Sequence, residues 1–329
     1  MSHQSSFRPA WWLPGPHLPT VYGKLARRIP DAHERLERWE TPDGDSLTVA
    51  RLDATRADAP TLTIFHGLEG TVHSKYAQGL IHQARLRGWG AALLVWRTCD
   101  GRIPVAPRMY HSGETTDADF FFRRLAAERP GVPILATGVS LGANVLLKWL
   151  GEQGSNVPPE LRAAAAVSTP FDLAAGSAHL ERGFSRFYVW HFVRALRRKA
   201  FAALKKHPTL PVDRAKLAAA RSFWEFDDAF TAPVHGFAGA DDYYTRSSSL
   251  QFLGRITVPA LLYSAVDDPF LPASVLDTVR SVARDNPLLH NDFTPTGGHV
   301  GWVSGSPLSP VYHMEPHVVE WLSGFRQPP

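Results

Sequence analysis

Three segments hold residue types that together could carry acyl-transfer chemistry: Gly138-Val139-Ser140-Leu141-Gly142, Asp267-Asp268-Pro269-Phe270 and Gly297-Gly298-His299-Val300-Gly301. The serine gives the sharpest signal. It stands between an apolar run at Pro133–Thr137 and a helical stretch at Ser140–Glu152, so the turn passes straight from strand to helix. Such a turn is tight, and the positions two before and two after the serine have to lack bulk, which accounts for the glycines. The hydroxyl then stands clear at the carboxyl end of the sheet, above a helix N-terminus that favours developing negative charge.

A serine hydroxyl is a weak nucleophile unless a base lies within hydrogen-bond reach and a carboxylate orients that base. In a strand–turn–helix setting of this kind the chain order is serine, acid, histidine. His299 follows the last apolar run in a glycine-flanked loop, and of the 15 histidines it alone has that address. Asp268 lies directly before Pro269 and four residues ahead of Pro272. It is favoured as the acid over Asp267, which reads as a turn-capping carboxylate. The tetrahedral oxyanion needs donors, each worth ~2.7–4 kcal/mol of transition-state stabilisation. The backbone N–H groups of Leu141, just after the serine, and of Leu68, within His66-Gly67-Leu68-Glu69-Gly70, are the expected pair. His66 itself reads as structural.

These segments need a scaffold, and the pattern supplies one. Asp43-Gly44 marks a hairpin turn within residues 37–53. Apolar runs at Thr61–Phe65, Ala91–Trp96, Pro133–Thr137 and Ala163–Val167 then alternate with helical stretches at 75–87, 115–129 and 140–152. Strands that are apolar throughout and alternate with helices predict a mostly parallel sheet covered on both faces, an α/β class. The alternation lapses over 171–250 and resumes at Val258–Ser264, a helix near 272–284, a strand near Leu288–Phe293 and a helix near 313–325. The domain reading is therefore a core of 1–170 and 251–329, with an N-terminal arm of 1–36, and a mainly helical lid inserted at 171–250. The arm is expected to be extended and packed by its rings.

Composition narrows the function. Among 329 residues, 44% are hydrophobic and 20% charged, which suits a large folded core. A net charge of +4 without a concentrated basic face gives nucleic-acid binding no support. The single cysteine, Cys99, rules out an intrachain disulfide and reads as a small buried thiol. No phosphate-binding loop, dinucleotide fingerprint or zinc motif is present, so neither metal nor organic cofactor is expected. The first residues lack a charged start followed by an apolar run, and no apolar stretch approaches the length of a membrane span. A cytoplasmic location is the expectation, and the oligomeric state is not legible.

Within the insertion, Val189, Val193, Leu196, Ala200 and Leu204 recur at helical spacing, with Arg194, Arg197, Arg198, Lys199, Lys205 and Lys206 between them. This predicts an amphipathic basic helix over Phe187–Lys206. The plainer reading is a lid helix with a solvated face, and the sharper one a surface that meets anionic lipid. The rings Phe184, Phe187, Tyr188, Trp190, Phe192, Phe201, Phe223, Trp224 and Phe226 exceed what a polar surface loop would carry. Several of them are expected to face the core or a substrate pocket.

The assembled motifs resemble the YheT-like branch of the α/β-hydrolases, the AB hydrolase 4 family, which includes membrane-associated lipases of eukaryotes and yeast ethanol acyltransferases. The likeness runs through W-L-P-G-P-H-L-P-T at 12–20, F-H-G-L-E-G at 65–70, W-R-T-C-D-G at 96–101, Y-H-S-G-E-T at 110–115 and G-V-S-L-G-A-N at 138–144. It continues from Asp227 through G-F at 236–237 and the tyrosine pair Tyr243-Tyr244 to D-D-P-F and G-G-H-V-G-W. The resemblance implies a Ser-Asp-His triad, supplied by Ser140, Asp268 and His299, and esterase activity with lipid esters among its substrates. The family more often carries Gly at the position of Thr98 and Gln at that of Pro19. The expected function is a serine carboxylic-ester hydrolase acting through an acyl-enzyme on medium-chain or lipid-like small-molecule acyl esters. The alternatives are an alcohol acyltransferase using the same triad and a non-catalytic binding module on the same fold.

Overall fold

Strands that are apolar on both faces have to lie in the middle of a covered sheet, and the runs identified above do so. The computed structural model describes residues 7–29 and 34–326. Along this chain α1 (His17–Leu25) precedes a hairpin of β1 (Arg35–Glu40) and β2 (Ser46–Leu52), and the βα alternation follows. It comprises β3 (Thr61–Phe65), α2 (Lys75–Leu86), β4 (Gly90–Val95), α3 (Thr116–Glu128), β5 (Ile134–Val139), α4 (Leu141–Gln153) and β6 (Leu161–Val167). The described residues form one eight-stranded sheet in the order β1-β2-β4-β3-β5-β6-β7-β8, with β7 at Ala260–Ala265 and β8 at Leu289–Thr294. The first two pairings are antiparallel and the rest parallel. Every residue of β3, β4, β5 and β7 is buried. Trp39, Trp96, Trp149 and Trp302 are nearly inaccessible, so much of the ring content fills the core.

Helices α11 (Ala273–Asp285) and α12 (Met314–Ser323) complete the covering layers, and a small hairpin of β9 (Val303–Ser306) and β10 (Ser309–Tyr312) precedes α12. The sequence pattern does not reveal that hairpin: its strands are short, and Pro310 and Gly305 read as loop. The arm also departs from expectation, since residues 17–25 are helical and not extended. Pro19 falls in the first turn of α1, where the missing N–H has no intrahelical partner to lose. The proline that suggests a breaker is compatible with a helix start. Residues 1–6 and 30–33 of that arm lie outside the described residues.

Between β6 and β7 the described residues of segment 171–250 hold helices and no strand. They are α5 (Leu173–Leu180), α6 (Ser185–Lys206), α7 (Arg214–Ala219), α8 (Phe223–Phe226), a π-helical turn at Asp227–Thr231, α9 (Ala232–His235) and α10 (Ala240–Ser247). Val189, Val193, Leu196, Ala200 and Leu204 of α6 are all buried, joined by Phe226 and Phe230 in an apolar cluster separate from the main core. Leu68 and Phe270, from loops of the core, pack against this cluster. The expected ring burial holds only in part: Tyr188 and Phe226 are buried, while Phe184, Phe187, Trp190 and Trp224 are exposed. Thr98, at the glycine position of the resembling family, is buried with φ at +74°. A β-branched residue held there costs on the order of 1–3 kcal/mol.

Candidate active site

The carboxyl ends of β3, β5, β7 and β8 bring four loops together, the place where parallel α/β sheets hold ligands. Ser140 follows β5 with φ 55° and ψ −122°, outside the regions a side-chain-bearing residue ordinarily adopts. The surroundings enforce it. Its N–H donates to the Val167 carbonyl at 2.8 Å, and its own carbonyl accepts the N–H groups of Ala143 and Asn144 at 2.9 and 3.1 Å. A Cβ at Gly138 would meet Ala143 Cα at 2.6 Å, and one at Gly142 would run into the Phe65 carbonyl oxygen. Backbone on both sides leaves no room for bulk, as the sequence pattern implies. Asn144, one turn into α4, uses its whole amide. It donates to the carbonyls of Ser112 and Ser247 at 2.8 Å each and accepts the Ser249 N–H at 2.9 Å.

Ser140, His299 and Asp268 come together from positions far apart in the chain. His299 Nε2 lies 2.9 Å from Ser140 Oγ, and its Nδ1 lies 2.9 and 3.1 Å from the two carboxylate oxygens of Asp268. A carboxylate can only accept, so Nδ1 carries the proton and Nε2 is left to accept the serine hydroxyl. Asp268 is buried and also accepts the Phe270 N–H at 2.8 Å. Asp267 turns elsewhere: its Oδ1 accepts the Gly298 N–H at 2.8 Å, in the loop that carries His299. Burial raises the Asp267 carboxyl above its ordinary range, opposed by the N–H bonds of Gly298 and Gly297.

Several partners of this cluster carry no chemical signature in the sequence. The Phe270 ring stacks on His299 with centroids 4.1 Å apart and planes inclined by 16°. Thr20, in α1, accepts the His299 N–H at 2.8 Å, and its hydroxyl donates to the Pro16 carbonyl at 2.6 Å. Ser168 accepts the Val300 N–H at 3.1 Å. The motif containing Thr20 is legible, but nothing in it says that a helix of the arm would hold a histidine loop.

The N–H groups of Leu68 and Leu141 have no acceptor among the described residues. Gly67 brings the first of these loops against the elbow, since a Cβ there would stand 3.1 Å from Ser140 Cβ. Its N–H donates to the Tyr76 hydroxyl at 2.8 Å. Glu69, with φ at 55°, donates its N–H to the Tyr110 hydroxyl at 2.9 Å, and its carboxylate accepts that hydroxyl's proton at 2.8 Å. The same carboxylate pairs with Lys199 of α6 at 2.7 Å. Lys199 therefore turns inward, against the expectation that placed it on the basic surface of the helix: the loop offers it a half-buried anion.

His66 is wholly buried and bonded to the chain just after β4. Its Nε2 accepts the Trp96 N–H at 3.1 Å and its Nδ1 donates to the Gly67 carbonyl at 2.8 Å. Burial lowers its pKa to about 4, so it stays neutral and structural, as expected. Burial also pushes the Cys99 thiol up to about 12, which removes it as a nucleophile at neutral pH. A cavity of about 410 Å³ opens elsewhere, with His111, Glu114, Lys148, Glu152 and Arg246 in its wall; Ser247, bonded to Asn144, also lines it, but Ser140, Asp268 and His299 do not. The Ser140 arrangement can deliver a hydroxyl to a carbonyl carbon, move its proton to an imidazole, and offer two free amides to the resulting oxyanion.

No protein-family model matches the chain. It is 38% identical over 327 residues to YheT of Escherichia coli (strain K12), which bears the name of an esterase, across 98% of this chain and 95% of that one. It is 31% identical over 310 residues to phospholipase ABHD3 of Mus musculus, across 91% of this chain and 74% of that one. Monoacylglycerol lipase of Saccharomyces cerevisiae is 30% identical over 252 residues, across 74% of this chain and 55% of that one. Among solved structures, the esterase Pf2001 of Pyrococcus furiosus matches with a TM-score of 0.57 and 14% identity, across 90% of this chain and 91% of that one. At that identity the likeness is one of fold.

Proposed function

Since this chain belongs to the YheT-like branch of the α/β-hydrolases and is an esterase- or lipase-type hydrolase, we propose that it cleaves carboxylic esters through an acyl-enzyme on Ser140. The observation that carries this is the hydrogen-bonded chain Ser140–His299–Asp268, with 2.9 Å at each link. His299 takes the Ser140 proton as the hydroxyl attacks the ester carbonyl carbon. The N–H groups of Leu68 and Leu141 hold the oxyanion. The C–O bond to the alcohol breaks, and His299 returns the proton to that alcohol. Water then adds to the acyl-enzyme by the same route and releases the acid. Asp268 fixes the imidazole tautomer and stabilises the imidazolium between the two steps. A fluorophosphonate is expected to label the protein once, on the peptide containing Ser140. Labelling mapped to any other residue would overturn the assignment.

The helical segment 171–250 acts in this reading as the lid and acyl selector, because Phe270 beside His299 and Leu68 of the oxyanion loop both pack against its apolar cluster. Phe192 of α6 contacts the Phe270 ring, with centroids 6.4 Å apart. Each methylene buried against such rings adds ~0.8 kcal/mol, or about fourfold in kcat/KM. Across p-nitrophenyl esters from acetate to dodecanoate, kcat/KM is expected to peak at medium chains, and Phe192→Ala to flatten or shift that peak. A profile that falls steadily from acetate and is unchanged by the substitution would make the segment scaffold only.

The Lys199–Glu69 ion pair ties the same segment to the oxyanion loop. Lys199→Met is expected to lower kcat about tenfold on a short soluble ester with little change in KM, less than the ~10²–10³ of a lost oxyanion donor. Recovery in Lys199→Arg separates positioning from packing. An unchanged kcat in Lys199→Met would show that the loop holds itself. Transfer of the acyl group to an alcohol uses the same residues, and product analysis with added ethanol distinguishes ethyl ester from free acid.

A further inference from the structure

The N-terminal end of α6 carries a face that neither the fold nor the proposed chemistry requires. Phe184, Phe187 and Trp190 recur every third residue and are 57%, 55% and 55% exposed. They form one patch: Phe184 meets Phe187, and Phe187 stacks on Trp190, each at a centroid distance of 5.9 Å. Single exposed apolar side chains are ordinary, whereas contiguous rings in water mark a contact surface. The charge along this stretch is mainly positive, with exposed Glu181 at its start the one acidic residue from Leu173 through Val212. Arg182, Arg186, Arg194 and Arg198 are exposed, and no acidic residue occurs from Arg182 through Val212. The Arg194 guanidinium lies 5.7 Å from the Trp190 ring centre.

The inner side of the patch leads to the candidate active site. Phe184 meets Tyr188 at 5.8 Å, Tyr188 meets Phe270 at 5.0 Å, and Phe270 stacks on His299 at 4.1 Å. The exposed rings are thus linked to His299 through three successive ring contacts.

We propose that this face docks the protein on an anionic lipid surface. Exposed Trp and Phe settle at the boundary between headgroups and acyl chains, and arginines around them are drawn to anionic headgroups. No helix among the described residues is long and apolar enough to cross a membrane, so the attachment is peripheral. A second copy of this chain fits the face poorly, because a two-fold contact would set the arginine rim of one copy against that of the other. The proposal rests on Ser140 being an ester-cleaving site only for its purpose, and binding is measured without turnover.

The test is co-sedimentation of the full chain with phosphatidylcholine vesicles, with and without phosphatidylglycerol, at low ionic strength. Wild type is expected to pellet with the phosphatidylglycerol vesicles. Phe184→Ser/Phe187→Ser/Trp190→Ser is expected to lower the partition coefficient about tenfold or more, and Arg186→Gln/Arg194→Gln to remove the preference for phosphatidylglycerol. Both variants should keep the wild-type circular dichroism spectrum and melting curve, which shows that they fold. Wild type that stays in the supernatant overturns the proposal, as does a ring variant that pellets like wild type. So does a wild-type dimer in light scattering that the ring substitutions dissociate. Vesicle binding by a wild type without any ester turnover would instead remove the Ser140 reading and leave the docking surface standing.

Discussion

Ser140→Ala is expected to lower kcat on a p-nitrophenyl ester by roughly 10⁴–10⁶ and to abolish fluorophosphonate labelling, while leaving a folded protein. The size follows from what is removed. Without the hydroxyl there is no acyl-enzyme, and the free amides of Leu68 and Leu141 can assist only direct attack by water, which leaves a residual rate. The fold should tolerate the change, because the elbow is fixed by backbone bonds from Ser140 to Val167, Ala143 and Asn144 and not by the hydroxyl. Relief from contact is small, since alanine must adopt the same φ of 55°. Turnover rates and intact-protein mass after labelling, with a melting curve as control, make the measurement. A purified Ser140→Ala protein that turns over at a tenth of the wild-type rate would exclude Ser140 as nucleophile.

The second large effect separates two adjacent carboxylates. Asp268→Asn is expected to cost kcat a factor on the order of 10⁴. The Asn amide can present its N–H₂ to Nδ1, which favours the tautomer with the proton on Nε2, and a protonated Nε2 cannot accept from Ser140. Asp267→Asn should cost about tenfold or less. Its side-chain oxygen can still accept the Gly298 N–H, so the loop carrying His299 keeps its anchor. The comparison is kcat at neutral pH for the two single variants, with circular dichroism confirming that both are folded. Equal losses, or the larger loss in Asp267→Asn, would reverse the assignment that geometry supports.

The parts legible in the sequence are those set by local chemistry. Apolar runs such as Thr61–Phe65 and Pro133–Thr137 announce buried parallel strands because they alternate with helical stretches, and the two glycines around Ser140 record backbone contacts that forbid a Cβ. What escapes is whatever depends on distant chain. Lys199 looks like one more cation on a basic helix until the loop bearing Glu69 stands opposite it. Phe184 and Phe270 are both rings near prolines, glycines or turns, yet one faces water and the other lies on the imidazole, and only the packing of α6 against the core decides which. Thr20 has no periodicity or motif chemistry to betray it, because its partner is the backbone of His299.

That last bond also sets an order in time. The Thr20 hydroxyl and the His299 N–H are separated by 279 positions, and the Ser140–His299 link spans 159. A ribosome adding ~5–20 residues per second makes α1 about 14–56 s, and the elbow about 8–32 s, before the imidazole exists. During that interval the elbow can form beside its oxyanion loop, yet the hydroxyl has no base and α1 has no loop to hold. With His299 as the proposed base, Ser140 has no partner until the segment bearing His299 has been made, so no shorter nascent chain is expected to turn over an ester.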